Sequence, residues 1–241
     1  MQAVERKAGS MAGRRAAGNT SLTREDLADA ALRLLEREGP KGLTMRKVAA
    51  EVGVQAASLY WHVQNKEELL DLAADALWEG YSPLPPGLVA TPDEWRGCLA
   101  TAARRLRAHL LAHTAAVRVL AGRFAPGARA LGPLEETFGM LRRLGFGPAE
   151  TALGAYTVVI WVQGFVLHEA VPMSAAEERG ATPAEAVEEA RERLAALPAE
   201  RYPHLVALAG ELTGPDMDSR FEFGLGLLLD GLGALREAGA V

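Results

Sequence analysis

The side chains best suited to chemistry with a charged partner lie between Thr44 and Lys66. Arg46 can donate two hydrogen bonds at once to the O6 and N7 atoms of guanine, the commonest base-specific contact that proteins make with DNA. Lys47, its neighbour, can neutralise a backbone phosphate. A forked cation beside a point charge predicts an interface for double-stranded DNA.

Two further groups of residues in this stretch fit the same chemistry. Small and amide side chains, which suit base edges and thymine methyl groups, occur at Gln55, Ala56, Ala57 and Ser58. Groups that suit sugar and phosphate occur at Thr44, Tyr60, Trp61, His62 and Lys66. The alternative for the two aromatic residues is a place in the core of a small helical domain, although Leu59 and Val63 already occupy the buried phase.

A helix-turn-helix is the element that must position these side chains. A second helix is expected to begin at Thr44 and to stop at Gly53, and a third to cover residues 56–62. Two short helices joined by a tight turn form the unit that inserts its second helix into the DNA major groove. Residues 44–62 therefore predict a DNA-binding helix-turn-helix.

Flanking helices are expected on both sides of this unit. Apolar residues recur at helical spacing after Thr23, which predicts a first helix that Thr23 and Asp26 favour at its N-terminus and Gly39-Pro40 ends. Asn65 is expected to cap a fourth helix. Together these helices would bury one face of the helix-turn-helix and leave the other for DNA.

The charge of the chain is unevenly divided along its length. The formal net charge is −5, but residues 1–66 carry 11 Lys and Arg against 7 Asp and Glu, and all four lysines lie there. A basic head on an acidic body fits local attraction to phosphate. The alternative is that ordinary solvated faces happen to fall this way.

Residues 43–75 closely resemble the DNA-binding region of the tetracycline-repressor (TetR) family, including the run from Leu59 to Val63 followed by Asn65 and Lys66. Weaker likeness continues in the body at residues 120–127, 164–170 and 223–232. The chain is identified as a member of that family, most similar in pattern to its tetracycline-repressor subgroup. Met45, Ala56 and Ala57 depart from that subgroup, which leaves the operator sequence open.

The resemblance implies an all-α fold, with an N-terminal three-helix helix-turn-helix DNA-binding domain and a larger C-terminal helical domain for ligand binding and dimerisation. We expect a disordered arm at 1–20, the DNA-binding domain at 21–67 and the second domain at 68–241. It also implies a homodimeric repressor that a small-molecule effector releases from a palindromic operator. A ligand-independent or activating regulator of the same fold is the alternative.

Beyond a proline-rich segment at 81–92, every stretch of the body is predicted to be helical. The expected helices are 93–111, 114–123, 127–144, 148–170, 183–195, 199–211 and 217–238. The longest uncharged apolar stretch, 151–167, is shorter than the roughly 20 residues that span a bilayer, so we expect a buried helix and no membrane partner.

The single cysteine, Cys98, excludes an intrachain disulfide and suits a reducing cytoplasm. The first 20 residues lack the apolar stretch of a secretory signal. Cytoplasmic localisation is therefore expected.

Two long helices are expected to form the dimer interface. By resemblance, 148–170 and 217–238 pair with their copies as a four-helix bundle. Glycine within a helix is costly unless a close backbone approach repays it, so the second of these helices is expected to contribute Gly224, Gly226, Leu227 and Gly231, with Gly233 nearby. A close crossing within one chain is the alternative.

The residues that bind magnesium–tetracycline in the subgroup are absent by alignment. The histidine of the sixth helix falls on Leu120 or Val119, and the carboxylate of the eighth falls on His168, with Glu169 next to it. Ser82 replaces a further drug-contacting histidine. We therefore expect a different, more apolar or aromatic effector, with no metal or cofactor.

The expected effector pocket uses apolar, aromatic and a few polar residues of the body. Its candidates are Leu106, His109, His113, Arg123, Tyr156, Trp161, Gln163, Phe165 and His168.

The pair His109 and His113 offers a distant alternative, a helical metal-dependent enzyme. Histidines at i and i+4 lie on one helical face and can bind zinc. The residues between them are Leu110, Leu111 and Ala112, so the glutamate base of a zinc hydrolase is missing. No nucleophile elbow or phosphate-binding loop occurs, and no enzyme is expected.

Overall fold

A computed structural model of the chain describes residues 22–120, 127–178 and 180–239, and every regular element in those ranges is a helix, as expected. The N-terminal arm at 1–20 and the pocket candidate Arg123 lie outside them. The α-helices are α1 (Arg24–Gly42), α2 (Met45–Glu51), α3 (Ala56–Leu59), α4 (Lys66–Ala76), α5 (Trp95–Leu111), α6 (Thr114–Leu120), α7 (Ala128–Arg143), α8 (Pro148–Glu178), α9 (Pro183–Ala195), α10 (Pro203–Ala207), α11 (Ala209–Thr213) and α12 (Met217–Gly239).

Helix α1 is the support of the N-terminal head. Thr23 and Asp26 form a reciprocal capping box at its start, which confirms the predicted N-terminus. The buried face of α1 packs against α4. Gly39 breaks the helix with a φ of 71°, which favours glycine, and one more helical turn follows at Pro40.

The turn between α2 and α3 depends on Gly53, whose φ is 73°. Thr44 accepts a hydrogen bond from the backbone of Lys47 and so caps α2, while Asn65 caps α4 through the backbone of Glu68. Both caps confirm the sequence prediction. Helix α3 ends at Leu59 rather than at residue 62, because the chain tightens into turns after it.

The body packs α5 against α8, with α7 and α12 also on α8. Its core is continuous with that of the head: Leu35 and Leu69 belong to the same buried cluster as Leu110, Val162 and Phe221. Helices α1 and α4 lie on α6, and the end of α4 also meets α7. A displacement of α6 or α7 can therefore be transmitted to the head through packed side chains.

Several helix boundaries in the body differ from the prediction. Helix α8 continues past Pro172 to Glu178, although a proline within a helix removes one backbone hydrogen bond and favours a kink. The helix expected at 199–211 divides into α10 and α11. Helix α6 ends at Leu120, and the residues that follow it, 121–126, are not described.

Within the described residues, one helix segment, Pro148–Ala170, is long and apolar enough to cross a membrane by length and composition. The segment is longer than the uncharged stretch at 151–167 because it also includes Glu150 and Glu169. Only 33% of the best window is buried inside the chain. The core helix of a soluble protein meets the same criteria of length and composition. The exposed part of α8 is therefore a surface that another apolar surface could bury.

Candidate functional site

Most of the residues expected to meet DNA are exposed on the head, and together they are called its DNA face below. Arg46 on α2 is exposed and has no ion-pair partner in the part of the chain that the structure describes. Gln55, Ala57 and Ser58 are exposed at the start of α3, whereas Ala56 is half-buried and packs on the core. An unpaired guanidinium on α2 therefore accompanies an uncharged α3 N-terminus that carries mostly small side chains.

Tyr60 and Trp61 lie outside the core. Tyr60 is 59% exposed and Trp61 is 90% exposed, because Leu59 and Val63 take the inward positions of this segment. The alternative that they are core aromatics is therefore wrong. Two exposed aromatic side chains beside a free cation can lie along sugar and phosphate groups.

The two lysines of this face are held by the end of α1. The Lys66 ammonium donates to the Pro40 carbonyl oxygen at 2.7 Å, and Lys47 forms an ion pair with Glu38. These contacts join distant positions in the chain, so sequence reasoning gave no sign of them. They leave Arg46 as the less constrained cation of the face.

Arg24 is a residue of this face that sequence reasoning missed. Its guanidinium donates to the His62 carbonyl oxygen and forms an ion pair with Glu68 at 2.9 Å. His62 is half-buried. The contact fixes the C-terminal side of the α3 turn against the start of α1.

Replacing Trp61 with alanine is expected to separate function from stability. Since the indole is 90% exposed, the free energy of unfolding should change by less than about 0.5 kcal/mol. Affinity for a bound DNA duplex should fall about tenfold, because we expect the indole to contact the sugar–phosphate backbone of the DNA. Thermal unfolding and fluorescence anisotropy check the two parts, and a large loss of stability with unchanged DNA affinity would contradict this placement.

A small crevice, partly open to solvent, lies between α5, α7, α8 and α12 and has a cavity volume of about 40 Å³. Its lining is apolar except for Tyr81 and Thr137, and Leu106 is the one expected pocket residue that contributes to it. The other lining residues are Pro83, Leu99, Ala102, Ala103, Met140, Leu141, Gly154, Ala155, Val158, Val159 and Leu232. This chemistry suits an uncharged, largely apolar ligand.

Tyr81 supplies a phenol at the edge of this crevice. Burial raises the pKa of Tyr81 to about 12, so the hydroxyl keeps its proton at neutral pH and can donate a hydrogen bond. The ring lies 4.7 Å from that of His109 and 5.5 Å from that of Trp78, measured between centroids. No sequence motif marks Tyr81, because packing alone places it there.

The expected histidine pair is engaged within the chain. His109 Nε2 lies 2.8 Å from the Leu77 carbonyl oxygen, and burial lowers the pKa of this imidazole. His113 contacts Glu36 on α1. Among the described residues, no group of three or more His, Cys, Asp or Glu side chains could hold a metal ion.

The remaining pocket candidates are spread over α8. Trp161 and Phe165 pack against Phe221 on α12, which places their rings in an aromatic cluster rather than around the crevice. Tyr156 and His168 are exposed, and Gln163 is half-buried. Among the described residues, the structure does not bring these side chains together around the crevice.

Glu169, beside His168, belongs to an ion-pair network. Both of its oxygens accept from the Arg107 guanidinium, at 3.0 and 2.7 Å, and Arg107 also pairs with Asp218 at 2.7 Å. The two side chains of the Arg107–Glu169 pair are largely buried. This carboxylate therefore ties α5 to α8 and is already neutralised.

An apolar face of α8 and α12 is open to solvent. It contains Leu153, Tyr156 and Ile160 on α8, and Phe223 and Leu227 on α12, with Phe223 72% exposed. These residues recur at helical spacing and share one face of each helix. An exposed apolar patch of this kind marks an interaction surface.

Four of the glycines in α12 have different surroundings. A Cβ at Gly224 would collide with Trp161, and one at Gly233 would lie 3.2 Å from Trp95, so contacts within the chain account for these two. A Cβ at Gly226 or Gly231 would meet no atom within 4 Å. At Gly224 and Gly233, a close approach of α12 to α8 and α5 of the same chain therefore explains the glycine, rather than a dimer contact.

Comparison with known proteins matches both parts of the chain. The profile described as "Bacterial regulatory proteins, tetR family" covers residues 27–73, and "Tetracyclin repressor-like, C-terminal domain" covers residues 89–236. The chain is 35% identical over 218 residues to the class A tetracycline repressor protein from transposon 1721 of Escherichia coli. That alignment spans 90% of this chain and 93% of the repressor.

Solved structures of ActR from Streptomyces coelicolor have the same fold. Apo ActR matches with a TM-score of 0.75 and 30% identity, over 90% of this chain and 98% of that one. ActR in complex with actinorhodin matches with a TM-score of 0.74 and 32% identity, over 88% and 97%. From its helix-turn-helix head, its helical body and these matches along both, the chain belongs to the TetR family of transcriptional regulators.

Proposed function

We propose that this chain is a homodimeric repressor that binds a palindromic operator through residues 44–66 and leaves it when an apolar aromatic molecule fills the body. The observation that carries the proposal is the exposed face of the head, where Arg46 has no ion pair in the described residues and Trp61 is 90% exposed. The residues proposed to contact DNA are Thr44, Arg46, Lys47, Gln55, Ala56, Ala57, Ser58, Tyr60, Trp61, His62 and Lys66.

The proposed division of labour on this face follows from side-chain chemistry. Arg46 reads guanine, and the start of α3 contacts base edges and methyl groups. Tyr60, Trp61 and the Thr44 hydroxyl contact the sugar–phosphate backbone of the DNA. Lys47 and Lys66 reach phosphate only by leaving or sharing Glu38 and the Pro40 carbonyl, which makes their contribution smaller than that of a free cation.

A second copy of the chain is the proposed cover of the apolar face on α8 and α12. Burial of Leu153, Ile160, Phe223 and Leu227 against their copies would remove apolar surface from water and contribute about 25 cal/mol for each Å². Open space at Gly226 and Gly231 lets the partner helices approach closely. Such a dimer holds two recognition helices about 34 Å apart, one turn of DNA.

The proposed domains are a DNA-binding domain at 21–67 and a ligand-binding and dimerisation domain at 68–241. The boundary falls within the first turn of α4, so this helix belongs to both. We place the protein in the cytoplasm, where it meets DNA.

The crevice beside Tyr81 is the proposed effector site. Its walls carry no charged side chain. The Tyr81 hydroxyl can donate a hydrogen bond to a ligand oxygen, whereas the Thr137 hydroxyl donates to the Pro133 carbonyl at 2.8 Å and can only accept one. The related ActR binds actinorhodin, as its complex shows. We propose an uncharged, ring-containing effector that binds without Mg²⁺.

Selection from a pool of random duplexes tests the proposed function. The full chain should enrich an inverted repeat and should bind it as two chains per duplex in sedimentation analysis. A chain that enriches no duplex, or that binds every sequence equally, would contradict a specific repressor.

Filling the crevice is expected to block release by effector while sparing DNA binding. Actinorhodin and a set of uncharged aromatic compounds serve as probes for release of the selected duplex, measured by fluorescence anisotropy. Val158→Trp, on the crevice wall, should weaken release by the active probe about tenfold or more, because the indole occupies its space. Operator affinity without the probe should remain well above that of wild-type protein saturated with the probe, because the indole fills the wall beside Val158 without displacing α7 as the ligand does.

Two controls accompany this experiment. Val187→Trp on the exposed side of α9 adds the same ring away from the crevice and should leave release unchanged. EDTA should also have no effect. Release that requires Mg²⁺, or that Val158→Trp leaves intact, would contradict the proposed site.

A further inference from the structure

The N-terminus of α7 is docked on the side of α4. The Asp75 carboxylate on α4 accepts hydrogen bonds from the backbone N–H groups of Arg129 and Ala130, at 2.9 and 3.3 Å. These are among the N–H groups that have no partner within their own helix. A carboxylate there also interacts favourably with the positive end of the helix dipole.

Gly127 gives this contact its close fit. A Cβ at Gly127 would collide with the Asp75 carboxylate and with its Cβ. The backbone of Gly127 is extended, with φ −75° and ψ 179°, so alanine could adopt it without strain. The glycine is therefore required by the approach of Asp75 and not by its own conformation.

Arg129 extends the same contact to the head. Its guanidinium pairs with Asp29 on α1 at 2.6 Å and with Glu79, just beyond α4, at 3.2 Å. The Arg129 side chain is only 16% exposed, so both pairs are partly shielded from water. The first residues of α7 therefore contact α1, the last turn of α4 and the segment that follows α4.

The same helix reaches the crevice further along. Thr137, Met140 and Leu141 of α7 line it, and Thr137 lies eight residues beyond Arg129, about 12 Å along a helix. At its other end, α4 begins with Asn65 and Lys66 beside the proposed DNA face. Helices α7 and α4 therefore form a continuous path between the two proposed sites.

We propose that Asp75, Gly127 and Arg129 form a latch that sets the angle of α4, holding the head in the DNA-binding arrangement until a ligand in the crevice shifts α7. This inference rests on the proposed function and names the contact through which its two sites communicate. These are positioning residues, since none of them touches DNA or ligand.

The physical reason for the effect is conformational. With the latch closed, the angle of α4 is fixed at both ends, and the two heads of a dimer keep one spacing. With the latch open, the free protein samples several spacings, of which one fits the operator. Apparent affinity falls in proportion to the fraction of chains in the competent arrangement.

Hydrogen exchange of the full chain, free and saturated with the selected duplex, tests the latch without any ligand. Coupling between sites is reciprocal, so DNA bound at the head should change the exchange of amides in α7 as well as in α4. In Asp75→Ala and in Gly127→Ala the change in α4 should remain and the change in α7 should be lost. A residue that only stabilised the fold would alter basal exchange and leave the DNA-dependent change in place.

Operator affinity gives the second readout. Asp75→Ala and Gly127→Ala should each weaken binding about fivefold or more, and the double variant should be no weaker than the weaker of the two single variants, because either change opens the same contact. Arg129→Gln, which breaks the pairs with Asp29 and Glu79, should weaken operator binding in the same direction. Arg191→Gln, which breaks an exposed ion pair with Glu188 on α9, is its matched surface control and should change nothing.

The outcomes separate the latch from the function beneath it. If wild-type protein binds its duplex and α7 does not respond, or if the variants respond like wild type, the latch is overturned while the repressor stands. If one variant fails to fold, the other and the wild-type measurement still decide. If no duplex is bound at all, the proposed function falls, and this inference falls with it.

Discussion

Replacing Arg46 with alanine is expected to weaken binding to the selected operator by at least about 30-fold, since a bidentate contact to guanine contributes about 1–3 kcal/mol and a dimer makes two of them. The exposed guanidinium has no ion-pair partner in the described residues, so no internal contact must be broken for it to reach a base. Base preference at one position of each half-site should relax. Thermal stability should change little.

Competition binding with operators that carry each base at that position measures both effects. Arg143→Ala, at an exposed arginine on α7, removes the same charge far from the head and is the matched control. If the two variants lose equal affinity, or if Arg46→Ala keeps the full base preference, Arg46 acts only through its charge and the proposed base contact is wrong.

Placing a glutamate at Leu227 should convert the dimer to monomers and reduce operator affinity at least about 100-fold. Leu227 is 60% exposed in the single chain, so the substitution leaves the internal core intact. In a dimer through α8 and α12 it would bury a pair of like charges without partners, which is strongly unfavourable. A monomer also loses the second half-site.

Sedimentation velocity and operator binding on the same sample test this prediction. Leu131→Glu, on an exposed part of α7, adds the same charge outside the proposed interface and should remain dimeric. A Leu227→Glu variant that stays dimeric would require a different interface.

Local chemistry explains which parts of the head could be predicted from sequence. The caps at Thr23, Thr44 and Asn65 each join residues three apart, so residue type and order are sufficient to predict them. The exposure of Trp61 follows in the same way, because Leu59 and Val63 fix the inward phase.

Contacts between distant segments explain what sequence could not predict. Lys66 with the Pro40 carbonyl, His113 with Glu36 and Arg129 with Asp29 all join segments that are distant in the chain, and none has a periodic signature. Ion pairs across helices depend on how whole elements pack. The sequence therefore could not predict that Lys66 binds the Pro40 carbonyl or that His113 pairs with Glu36.

The crevice shows the same limit. Its lining comes from four helices and the segment after α4, and its apolar residues are the types that also fill cores. Leu106 was expected there, whereas Tyr81 and Thr137 were not. Trp161 and Phe165 have pocket-like chemistry, but their packing against Phe221 places them in an aromatic cluster.

A hydroxyl-radical footprint of the full chain on its selected operator tests the central claim most directly. The proposed dimer predicts two protected half-sites related by two-fold symmetry, with centres about 34 Å apart along the DNA, and Trp61→Ala should weaken protection of both equally. Protection of a single unrepeated site, or the same weak protection along any sequence, would contradict a dimeric repressor that reads DNA through residues 44–66.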